Sequence, residues 1–74
     1  MPEMTETISQ NYRHTQHRGR WAFDAASYLL AARIEALHVP GVRRLPNTRT
    51  FLLGGPDPDG KRREVARRLN GGGR

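Results

Sequence analysis

The chain has 74 residues, no cysteine, and a formal net charge of +6 at neutral pH. A length this short allows one domain with a small core, and the lack of cysteine excludes disulfide bracing and cysteine-ligated zinc. No run approaches the roughly 18–20 apolar residues that cross a bilayer. The amino end, with Glu3 and Glu6, lacks the basic and apolar regions of a secretory signal, so a cytoplasmic protein that avoids membranes is expected.

Residues 1–12 read as a flexible acidic N-terminal segment, with a weak strand-like alternation through Met4, Ile8 and Tyr12. A single compact domain is expected over 13–70. It opens on a basic arm, 13–20, in which Arg13, Arg18 and Arg20 interleave with His14 and His17. Such an arm can follow phosphates or enter a minor groove, and it can equally be a solvated linker. His14 and His17 stand at i, i+3 without further ligands nearby, so no metal or cofactor is expected.

Residues 21–37 hold half the chain's apolar side chains and read as one long central helix. At 100° per residue, Phe23, Ala26, Leu30, Ile34 and Leu37 form a core stripe. Trp21, Ala25, Tyr28 and Ala32 lie nearly opposite, with Leu29 between the two sets. A helix this apolar around its girth should be buried on more than one side. Trp21, Ala25, Tyr28, Leu29 and Ala32 are therefore the expected interface, and a homodimer or a docked subunit is the expected state. Asp24 suits the first turns of such a helix, and Pro40-Gly41 ends it.

Residues 39–47 read as a loop carrying Arg43 and Arg44. Residues 48–53, TRTFLL, read as a strand whose partner is residues 5–12, a strand formed after residue 60, or the same strand of a second copy. GGPDPDG, residues 54–60, is a turn. Its acidic residues do not match a calcium loop, and Asp57 or Asp59 is better placed as a helix N-cap. Residues 59–69 read as a basic carboxyl helix with Val65, Ala66 and Leu69 on its apolar edge and a Glu64–Arg68 pair. The alternative is a hairpin turning at Asp59-Gly60. Residues 71–74 are expected to be a flexible tail. The run TRTFLLGGPDPDGKRREV loosely resembles the wing of small winged-helix or excisionase-like regulators. The two short helices such proteins carry before the wing are replaced here by one long one, so no family follows.

The expected architecture is thus a small α+β domain with a long central helix, a short strand or hairpin and a basic carboxyl helix, dimeric in solution. No nucleophile–base–orienter spacing is present, and catalysis is not expected. The arginine clusters point instead to a small nucleic-acid-binding accessory or regulatory protein, DNA being the expected ligand. Arg62, Arg63, Arg67 and Arg68 are the leading phosphate contacts, with Lys61, Arg43, Arg44, Arg13, Arg18 and Arg20 beside them. The alternative is an adaptor, inhibitor or structural subunit of a larger phage or bacterial assembly, docking through the second apolar face of helix 21–37.

Overall fold

A computed structural model of the chain describes residues 10–16 and 19–71. Arg18, His17, most of the expected N-terminal segment and residues 72–74 of the expected tail lie outside them. The described chain runs β1 (Gln10–His14), β2 (Trp21–Asp24), α1 (Tyr28–Ala36), β3 (Val42–Arg44), β4 (Thr50–Leu53) and α2 (Pro58–Leu69). The four strands form one antiparallel sheet in the order β1-β2-β4-β3. The α+β class holds, with more sheet and less helix than the sequence suggests.

The long central helix is not there. Its first four residues are strand β2, its middle is a bend at Ala25–Ser27, and only Tyr28–Ala36 is helical. The reason lies across the sheet. Trp21, Ala22, Phe23 and Asp24 pair with Leu53, Leu52, Phe51 and Thr50 in turn, so the two aromatic rings at alternate positions share one face. The helix begins where a cap exists. Ser27 is extended, and its Oγ accepts the Leu30 backbone N–H at 3.1 Å. Three apolar residues in a run of four fit either period, and here tertiary pairing decides.

β4 is the second correction. It pairs with β2 and β3 of its own chain, not with any of the three partners expected, so its backbone asks nothing of a second copy. The loop expected at 39–47 contains β3, an edge strand of three residues. Arg13 and His14, expected in a flexible arm, belong to β1, as does Tyr12. The GGPDPDG turn leads into a helix and not into a wing hairpin, with Asp57 Oδ1 accepting from Gly60 N–H at 3.0 Å. The Glu64–Arg68 pair forms at 2.7 Å.

Both helices cover the same face of the sheet. Phe23, Phe51 and Leu53 from that face meet Ala31 and Ile34 of α1, Val65 and Ala66 of α2, and Ala25 and Val39 of the connections. Ala25, expected at an interface, is fully buried in this core, and Ala26, expected in the core, is exposed. Leu30 and Leu37 are only partly buried. Tyr28, Leu29 and Ala32 are exposed, so the second apolar face survives on the shortened helix.

Candidate nucleic-acid interface

The register gives the sheet two chemically different ends. At one end Asp24 closes β2. Thr50 Oγ1 donates to its Oδ1 at 2.8 Å, Asn11 Nδ2 donates to its Oδ2 at 3.3 Å, and an Arg13 guanidinium nitrogen lies 3.4 Å away. Burial alone raises the pKa of this carboxyl. The Thr50 and Asn11 hydrogen bonds and the Arg13 charge outweigh it and hold the group below its ordinary value. Arg13, a candidate phosphate contact, is thereby paired within its own chain while its side chain stays partly exposed.

At the other end β2 and β3 begin while β1 and β4 finish. Trp21 pairs with His14 on one side and Leu53 on the other, Leu53 pairs with Val42, and Gly54 N–H donates to Gly41 carbonyl at 2.7 Å. This end gathers cations. A Cβ at Gly54 would meet an Arg20 guanidinium nitrogen at 3.3 Å, so Arg20 lies across that backbone. Gly41 has φ +84°, and a Cβ there would meet Lys61 Cε at 3.0 Å. The backbone angle favours glycine at 41, and a Cβ there would crowd the lysine stem, which is flexible enough to shift. Arg43 stands one residue into β3, opposite Leu52 and exposed. None of Arg20, Arg43 and Lys61 has a carboxylate within ion-pair distance among the described residues.

The carboxyl helix is less free than its composition suggests. Arg62 and Arg63 both pair with Asp59, the second at 3.3 Å, and Arg68 pairs with Glu64. Arg62 also lies over the Tyr12 ring, its carbon 4.8 Å from the centroid. Arg67 is exposed, with no such pair among the described residues. Arg44 is turned inward, donating to Thr48 carbonyl at 2.7 Å and pairing with Glu35 at 3.0 Å. Of the ten candidate cations, the structure brings Arg20, Arg43 and Lys61 to one end. It spreads the rest over α2, β1 and β3, with Arg18 outside the described residues.

An aromatic cluster that the sequence reading did not assemble sits at the same end. Tyr12 stacks on Trp21 with centroids 4.9 Å apart and planes 24° apart, and His14 meets Trp21 edge-on at 5.3 Å. Burial and the nearby Asp59 raise the Tyr12 pKa, with Arg62 acting in the opposite sense. The signal in the sequence was Gly19. It adopts φ +64° in the β1–β2 connection, and a glycine between two aromatic-bearing runs is a hairpin mark. Thr15 completes the connection, its N–H and Oγ1 both donating to Arg20 carbonyl at 2.8 Å.

Among the described residues no three His, Cys, Asp or Glu side chains are placed to hold a metal, and no helix is long and apolar enough to cross a membrane. No protein-family model, curated protein or solved structure matches the chain.

Proposed function

We propose that this chain is a small nucleic-acid-binding accessory protein that holds the phosphate backbone at the cationic end of its sheet, through Arg20, Arg43 and Lys61. The supporting observation is the grouping of these three cations at one end of the sheet. Five arginines are matched to carboxylates of the same chain, whereas Arg20 and Lys61 lie against the backbone of Gly54 and Gly41, Arg43 is exposed on β3 at the same end, and none of the three has a carboxylate partner among the described residues. Cations left unmatched beside slim backbone suit a polyanion that must approach closely. Titration of a labelled oligonucleotide at 50 and 200 mM salt tests this. Affinity should fall steeply with salt, and the Arg20→Ala/Arg43→Ala/Lys61→Ala variant should lose about two to three units of the logarithmic salt slope. An Arg63→Ala/Arg68→Ala variant should lose less. Absence of binding at low salt, or equal slopes for all three proteins, would remove the proposal.

A second reading rests on α1. Tyr28 and Leu29 are 61% and 75% exposed. Arg49 lies 5.8 Å from the Tyr28 ring centroid, and Arg33 follows Leu29 by one turn, neither with a carboxylate partner among the described residues. Apolar side chains flanked by cations without a carboxylate partner among the described residues match an acidic, apolar protein segment better than another copy of a +6 chain. A docked subunit of a larger assembly would use this face. Tyr28→Glu should then abolish capture of the partner while leaving nucleic-acid affinity unchanged. Loss of nucleic-acid affinity in this variant would place both functions on one surface and defeat this second reading.

A further inference from the structure

We propose that Trp21 is a stacking platform for a nucleobase, and hence that the nucleic acid held here is single-stranded. This rests on the nucleic-acid reading above and narrows its ligand. Trp21 is the only tryptophan in the chain and is 37% exposed, although Ala22 and Ala25 close by are fully buried. The largest apolar surface available to the core is thus left partly in water at the margin of the sheet.

Its orientation is fixed by neighbours. Tyr12 stacks against it, His14 bears on it edge-on, and Arg62 lies over Tyr12. Arg62 is in turn paired with Asp59 on the first turn of α2. A pre-positioned indole loses little freedom when a flat ligand settles on it. Arg20 adjoins Trp21 in sequence and packing brings Lys61 to the same end of the sheet, while Arg43, in register with Leu52 and Ala22, stands at that end on the opposite face.

An aromatic platform beside unmatched cations is the arrangement that binds single strands. The cations follow the backbone while the ring takes a base, largely without regard to which base it is. A duplex keeps its base faces inside the stack and offers this ring only its ends. Single strands are therefore the ligand that uses both halves of the site.

Trp21 emission is the direct readout. The full chain is titrated with a twelve-nucleotide oligothymidylate, an abasic strand of equal length and charge, and a twelve-base-pair duplex, with anisotropy of the labelled oligonucleotide in parallel. Oligothymidylate should quench Trp21 and bind about tenfold tighter than the abasic strand, the scale of one stacked base. Trp21→Ala should remove that advantage and leave the duplex affinity within about twofold. Trp21→Phe, which keeps a smaller ring, should restore part of it and covers the case in which the alanine variant does not fold. Equal binding of thymidylate and abasic strands without quenching would overturn the platform and leave phosphate binding standing. Failure of all three oligonucleotides to bind at low salt would overturn both.

Discussion

Phe23 and Phe51 face each other across β2 and β4 as a directly paired couple, their rings 5.3 Å apart and within 12° of parallel. Both are buried, and they join the two halves of the sheet beneath both helices. Phe51→Ala should cost about 3–5 kcal/mol, which in a domain this small amounts to unfolding. Leu30→Ala should cost less than about 2 kcal/mol, because Leu30 is only half-buried. Urea denaturation followed by circular dichroism ranks the two, and the reverse order would show that the core is centred on α1 instead.

Asp24 should give the protein an acid-sensitive limb. Its folded pKa is depressed, so its contribution to stability is present above the unfolded value of about 3.9 and is lost as pH falls through the lower folded value. Melting temperature should therefore drop more steeply for the native chain than for Asp24→Asn below about pH 4. Parallel curves would mean that Asp24 is equally solvated in both states.

The ends of α1 offer one destabilising and one stabilising change. Ser27→Ala removes the cap on Leu30 N–H and should cost about 1 kcal/mol. His38 follows the helix with φ +53°, and its N–H donates to Glu35 carbonyl at 3.2 Å. That position favours glycine. His38→Gly should stabilise by up to about 1 kcal/mol, the strain relieved being partly offset by a freer unfolded chain. A loss of stability would show that the His38 ring holds a contact worth more than the strain.

Leu29→Glu should change stability by no more than about 0.5 kcal/mol, since the side chain is largely in water. A cost comparable to that of Phe51→Ala would mean that α1 is covered in solution. Thermal melts at two protein concentrations would then separate self-association from an internal fit.

The carboxyl half of the fold was legible because its signals are local. Asp57 and Pro58 open α2, Val65 and Ala66 mark its buried edge, and TFLL carries the residues of a strand. The amino half was not, because β2 is defined by what lies across from it. Trp21 and Phe23 fall on helical as well as strand positions. Only Leu53 and Phe51, some thirty residues later, choose between them. The site shared that fate. Arginines were visible as letters, but which of them are free depends on Asp24, Glu35, Asp59 and Glu64, whose reach is set by the fold. Six alanines in 21–37 favoured a continuous helix. Ser27, the cap of α1, was the mark that it begins late.

The middle strand is the last one made. β4 leaves the ribosome after β1, β2, α1 and β3, yet it must slot between β2 and β3. Until Leu53 has emerged, those two ribbons have no common neighbour, and a nascent chain stopped before residue 50 carries two open backbone margins. Completion of this sheet therefore waits for the emergence of Leu53, and chains that terminate before it should be the sticky species in the cell.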